Sequence, residues 1–139
     1  MTNVLVDTNM LVYSVQAEAA GRHIIAKEAL WALIDAKRIS ISTQNLAEFC
    51  RVMLEKSPKK QAAEDVEKSV SGFSKFASVL QYNGATVLRA VSLSSQYGIH
   101  FFDALIAATM QENGIAEILT ENTEDFSKIP WIKARNPFK

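Results

Sequence analysis

The aliphatic run Val4, Leu5 and Val6 ends abruptly at Asp7, and that boundary constrains the chain more than any other feature. An unbroken apolar run of this kind suits a strand covered on both faces, the pattern of a parallel sheet. Asp7, Thr8 and Asn9 are short polar side chains able to cap a helix that Met10 to Tyr13 would begin. An acid so placed stands at the carboxyl end of a strand, where open α/β sheets receive their ligands. Asp7 is therefore read as the first carboxylate of a metal site, and distant parts of the chain must supply its partners.

Downstream, helical and strand patterns alternate. Residues 24 to 36 carry apolar side chains at helical spacing, and Arg38 to Ser42 alternate as a strand. Thr43 is read as the N-cap of a helix over 44 to 55, with Leu46, Phe49, Cys50 and Met53 as its apolar seam. Pro58 ends that pattern inside Lys56-Ser-Pro-Lys-Lys60, the one local cluster of positive charge, which reads either as a solvated loop or as a nucleic-acid contact. A helix over 62 to 76, a short strand over 77 to 81 and a turn at Asn83-Gly84 follow. The next helix, 86 to 97, is stopped by Gly98. Residues 101 to 113 form a helix that is apolar almost all round and closes at Gly114. A strand over 116 to 120, a helical turn over 124 to 128 and an edge strand over 131 to 134 complete the chain. Such alternation implies one α/β domain over 1–139, its parallel sheet covered on both faces.

Acidic residues follow three of the strands, at Asp7, at Glu48 and after residues 116 to 120, and Asp103 adds a carboxylate near a helix start. Glu48 follows the second strand and lies off the apolar seam, a place that also suits a solvated residue. Asp103 has Ile99, Ile106 and Ala107 beside it on a helix, so it is either an N-cap of the helix from Ala104 or a carboxylate shielded from water. A shielded, ionised carboxylate costs several kcal/mol unless it is paired or ligates a cation. The third cluster is Thr120-Glu-Asn-Thr-Glu-Asp-Phe126. Carboxylates gathered at one rim repel one another, and a hard divalent cation relieves the repulsion. Magnesium suits an all-oxygen set, whereas His23, His100 and Cys50 lack zinc-site spacing. His100 is also a candidate base.

Composition narrows the partners less. Fifteen lysines and arginines balance fifteen aspartates and glutamates, so overall charge points neither to nucleic acid nor to a membrane surface. The lone Cys50 excludes an internal disulfide, reads as a buried thiol and fits a reducing compartment. The polar start and early Asp7 predict no secretion leader, and no run reaches the ~20 apolar residues of a membrane span. A cytoplasmic location is expected.

Taken in order, Val4-Leu-Val-Asp-Thr-Asn9, Asn45-Leu-Ala-Glu-Phe49, Gly98-Ile-His-Phe-Phe-Asp-Ala-Leu-Ile-Ala-Ala108 and Leu119-Thr-Glu-Asn-Thr-Glu-Asp-Phe126 resemble the PIN domain family. Within it they are most similar to the VapC-type toxins of prokaryotic toxin–antitoxin pairs. The resemblance implies a three-layer α/β/α sandwich with a mainly parallel sheet and a Mg²⁺- or Mn²⁺-dependent ribonuclease site. It implies Asp7, Glu48 and Asp103 as the principal acids, with Asp7 and Asp103 on the metal, Thr8 and Asn9 in support, and Thr120 as a supporting hydroxyl. The sequence departs from the family pattern at Asn122, where many relatives carry Asp. Asp125 then takes the fourth acidic role, or Asn122 donates a neutral oxygen. An RNA substrate, a small antitoxin and a homodimer are implied as partners, and Trp31, Phe73, Phe76 and Trp131 are candidates for such interfaces or for core. The competing expectation is a non-cleaving RNA-binding or scaffold module that keeps the fold.

Overall fold

A computed structural model describes residues 2–58 and 60–139. Its centre is a five-stranded sheet in the order β3-β2-β1-β4-β5, formed by β1 (Val4–Val6), β2 (Ile39–Ser42), β3 (Ser78–Leu80), β4 (Glu117–Leu119) and β5 (Lys133–Arg135). Every neighbouring pair is parallel. β1 is central and wholly buried, as its unbroken apolar run requires, whereas the edge strands β3 and β5 contain exposed residues.

Alternation along each strand divides the core in two. Leu5 and Ile118 face one layer, packing with residues from α5 (Gly84–Tyr97) and α6 (Phe101–Glu112). Val4, Val6 and Leu119 face the other layer. There they meet α1 (Thr8–Val15), α2 (Gly21–Asp35), α3 (Thr43–Arg51) and α4 (Ala63–Phe76). Helices therefore cover both faces, and the architecture is the expected α/β/α sandwich.

The chain order creates a switch point. From β1 the chain moves outward through β2 and β3, then returns to β4 on the other side of β1. The carboxyl ends of β1 and β4 thus open beside each other with their crossovers leaving in opposite directions, the usual place for a crevice in an open α/β sheet.

Local boundaries differ from the sequence reading in instructive ways. The N-cap of α3 is Ser42, not Thr43: Ser42 Oγ accepts the Asn45 N–H at 3.0 Å, and Asn45 Oδ1 accepts the Ser42 N–H at 3.1 Å. This is a reciprocal capping box with asparagine in the place usually held by glutamate or glutamine. The single helix expected over 44 to 55 divides into α3 and a π-helical turn over Val52–Lys56. Asn83-Gly84 is the cap and first residue of α5 rather than a free turn. Gly98 ends α5 in the left-handed region at φ 64°, and a short α7 (Thr123–Phe126) links β4 to β5.

Open space surrounds the position of a Cβ at Gly98, so substitution there tests backbone conformation alone. Gly98→Ala is expected to cost about 1 kcal/mol, roughly 3–4 °C in thermal midpoint for a chain of this size. Gly98→Asn should cost less, because asparagine tolerates the left-handed cap. Equal midpoints for wild type and Gly98→Ala would refute this account of the cap.

Candidate functional site

Asp7 lies at the switch point and is only 6% exposed. Its backbone N–H donates to Leu119 O at 3.0 Å, continuing the β1–β4 pairing by one residue. Its carboxylate caps α1, with Oδ1 accepting the Thr8 N–H at 2.8 Å. From β4, Thr120 Oγ1 donates to Oδ2 at 2.7 Å. Burial raises the Asp7 carboxyl above its usual range; these two hydrogen bonds oppose the rise, and the charge of Glu48 adds to it.

Glu48 reaches the same crevice from α3. Thr8 Oγ1 donates to Glu48 Oε1 at 2.7 Å and in turn accepts from Asn45 Nδ2 at 3.0 Å. The first turn of α3 thereby fixes the acid one turn further along. Asp103 arrives from the opposite layer on α6. The N-cap of that helix is His100, so the capping alternative for Asp103 is excluded. Asp103 sits in the first helical turn and accepts from Asn122 Nδ2 at 3.1 Å. Burial first, then the charges of Asp7 and Asp125, push the Asp103 carboxyl up to about 6; His100 pulls the other way and Glu48 adds a smaller rise.

The segment after β4 supplies the remaining polar groups. The Asn122 N–H donates to Thr120 Oγ1 at 2.9 Å, orienting that hydroxyl toward Asp7. The Asn122 side chain spans Asp103 and Asp125, its Nδ2 lying 3.5 Å from Asp125 Oδ2. Asp125 also meets Lys128 Nζ at 3.4 Å. Asn9 stands slightly apart, its Oδ1 accepting the Glu121 N–H at 3.3 Å. Asp7, Thr8, Asn9, Glu48, Asp103 and Asn122 line one cavity of about 460 Å³. Thr120 lies beneath Asp7, and Asp125 is linked through Asn122.

Asp7, Thr8, Glu48, Asp103, Thr120, Asn122 and Asp125 thus gather at one crevice that Asn9 also lines, whereas His100, the candidate base, is the N-cap of α6 and does not line it. The acids do not form a ready-made cage. Among the described residues no three His, Cys, Asp or Glu side chains are close enough to clasp an ion. Instead Thr8 and Asn122 place neutral donors on the carboxylates. The set is chemically suited to a hard cation, because its carboxylates present oxygen and burial, with a smaller mutual repulsion, already raises two of them.

The PIN domain family model matches residues 4–132. The chain belongs to the PIN domain family. Solved structures of similar shape cover nearly all of it. A toxin–antitoxin complex from Klebsiella pneumoniae is 26% identical, covering 97% of this chain and 98% of its own, at a TM-score of 0.66. DNA-bound VapBC from Salmonella typhimurium is 21% identical, with 99% of both chains covered and a TM-score of 0.72. The Mycobacterium tuberculosis toxin VapC20, described as cleaving the sarcin–ricin loop, is 18% identical, covers 96% of this chain and 100% of its own, and has a TM-score of 0.73. No match was found among curated protein sequences.

Several members of this PIN-domain network were not predicted from sequence as site residues. Asn45 ties the α3 cap to Thr8, and it approaches Asp7 Oδ1 at 3.4 Å. Its signal was the spacing Ser42-x-x-Asn45 followed three residues later by Glu48. Tyr13 and Arg22 both bind the Glu121 carboxylate, at 2.8 Å and 2.7 Å; no local pattern links residues so far apart.

The raised Asp103 carboxyl has a consequence for stability. A carboxyl whose folded-state value exceeds its unfolded one holds more protons in the folded state between the two values, so stability falls as pH rises through that window. For Asp103 the window runs from 3.8 to about 6. In EDTA at pH 7, Asp103→Asn is therefore expected to raise the thermal midpoint by roughly 2–4 °C, about 1 kcal/mol after discount for partial solvent exposure. The gain should vanish near pH 4. A lower midpoint for the variant at pH 7 would contradict the crowding described here.

Proposed function

We propose that this protein is a Mg²⁺- or Mn²⁺-dependent ribonuclease and the toxin of a toxin–antitoxin pair. The observation that carries the proposal is the buried Asp7 at the switch point, electrostatically coupled to Glu48 and Asp103 from two other elements. Such an arrangement lowers stability in the absence of a cation, which is the mark of a site built for charge rather than for folding. Asp7 and Asp103 would hold the metal, with Glu48 and Asp125 as the further acids and Thr8, Asn9, Thr120 and Asn122 in support.

When bound, a divalent cation supplies positive charge at the phosphodiester and lowers the pKa of an attacking water. The remaining work falls to side chains of the chain itself. Thr120 and the Thr8 N–H favour the ionised form of Asp7 against its burial and fix both of its oxygens. Glu48, steadied by Thr8 Oγ1, is placed to orient the water and accept its proton. No covalent protein nucleophile is needed.

The similarity to toxin–antitoxin complexes supports a small antitoxin as partner. An apolar cavity of about 210 Å³ between α2 and α4 is consistent with that reading. Trp31 and Phe76 at its edge are half-exposed and face each other at 6.2 Å. Homodimerisation and a cytoplasmic location belong to the same proposal; no described helix is long and apolar enough to cross a membrane.

One observation favours a second reading. The neutral Asn122 amide bridges Asp103 and Asp125, a bridge that stabilises those acids without a cation and suits a module that binds RNA without cutting it. Labelled RNA incubated with Mg²⁺ or Mn²⁺ decides between them. Cleavage is expected for wild type, with a fall of ~100-fold or more in Asp7→Asn and in Asp103→Asn, since the lost interactions carry several kcal/mol of transition-state stabilisation. Saturating Mg²⁺ should also raise the wild-type midpoint, and raise it less in either variant. Undiminished cleavage by both variants would remove the assignment, and metal-independent binding without turnover would establish the second reading.

A further inference from the structure

The cavity that holds the carboxylates also has a basic side, supplied by Arg51 and Lys56. We propose that these two residues hold phosphates of the RNA strand next to the cleaved bond, an inference that rests on the ribonuclease reading. Both are exposed, and among the described residues neither has a carboxylate within ion-pair distance. Glu48, one turn before Arg51, is bonded to Thr8 instead. Two unpaired cations therefore share a crevice with the acids. A polyanion entering it would be repelled by the acidic floor and drawn to this wall.

The backbone explains why Lys56 is there. In a continuous α-helix Glu55 would lie seven residues beyond Glu48 and three beyond Val52, in line with both on the cavity face. The π turn at Val52–Lys56 closes with the Ser57 N–H donating to Val52 O at 2.7 Å, a bond five residues long. The wider turn moves the facing position from Glu55 to Lys56, exchanging an acid for a base at the rim, and Lys56 rather than Glu55 lines the cavity. The turn is held on both sides. Met53 is fully buried, and its carbonyl accepts the Gln61 N–H at 3.0 Å. Ser57 is buried and its hydroxyl accepts from Gln16 Nε2 at 2.9 Å. The basic cluster beginning at Lys56 is thus divided: Lys56 faces the cavity, Lys60 is exposed outside it, and Lys59 lies outside the described residues.

The test is binding of a short single-stranded RNA, measured by fluorescence anisotropy in an Asp103→Asn background that suppresses cleavage. Arg51→Gln and Lys56→Gln are each expected to weaken binding about fivefold at low salt, and to reduce the dependence of log K on log salt by about 0.7 for each phosphate that is no longer neutralised. Lys75→Gln, outside the cavity, should change neither. The charge-conserving exchange Glu55→Lys with Lys56→Glu should weaken binding more than Lys56→Gln, with an unchanged thermal midpoint. In the cleaving protein, Arg51→Gln and Lys56→Gln should raise KM more than they lower kcat. If the protein cleaves RNA but these variants bind like their parent, the basic wall is wrong and the nuclease reading stands. If the parent neither binds nor cleaves RNA, both fall.

Discussion

The hydrogen bond from Thr120 to Asp7 joins the ends of the two strands at which the sheet changes direction. It opposes the rise that burial imposes on the Asp7 carboxyl, and much of the local structure follows from supplying that carboxyl with donors. Thr8 must begin α1 so that its N–H meets Oδ1. Asn122 must follow β4 so that its own N–H turns the Thr120 hydroxyl toward Asp7. The Thr120 N–H donates to Arg135 O at 2.9 Å, so even the edge strand β5 helps to hold the acid's partner. A buried ionised group is tolerated only when donors are fixed in advance. Here the donors come from three separate parts of the chain.

That requirement explains which parts of the molecule are legible in its sequence. β1, its terminal acid and the α1 cap are local, and Val4 to Asn9 declares them. The left-handed cap at Gly98 and the apolar α6 are equally local. The position of Asp103 beside Asp7 follows once the parallel topology is granted, because α6 crosses over and feeds β4, the strand that pairs with β1. The N-cap of α3 reads one residue late in the sequence because Ser42 and Thr43 are both good caps. The reciprocal bonding of Ser42 with Asn45, which Thr43 cannot share, selects the former. The π turn was illegible for a related reason. Residues 44 to 56 contain no glycine or proline to mark it, and the hydrophobic seam through Met53 runs on unbroken. What enforces the turn is Ser57, buried against Gln16 from a distant part of the sequence.

Asn122 shows the limit of reading a site by residue type. An amide where an acid is expected looks like a loss of function when each position is considered alone. In the folded protein its N–H group lies between two carboxylates and its backbone orients Thr120. An aspartate there would place another negative charge beside Asp103, which is already pushed up to about 6 by its surroundings. The amide and the more distant Asp125 are better understood as one unit: Asn122 brings Asp125 within reach of the rim while limiting how much charge gathers there.

Overall charge says nothing of how charge is distributed. A net charge of zero argues against a polyanion partner only if the charges are evenly spread, and Debye screening confines each surface charge to a range of ~10 Å in any case. α3 and its π turn sort charge along one wall of the cavity. Glu48 projects toward Asp7 and Thr8, Arg51 lies one turn on, and Lys56 follows beyond the turn. One continuous stretch of backbone therefore carries the junction between the acidic floor and the basic wall. On the ribonuclease reading proposed above, a net-neutral chain would present a phosphate with both signs of charge, because the sorting is done by helix geometry and leaves no trace in composition.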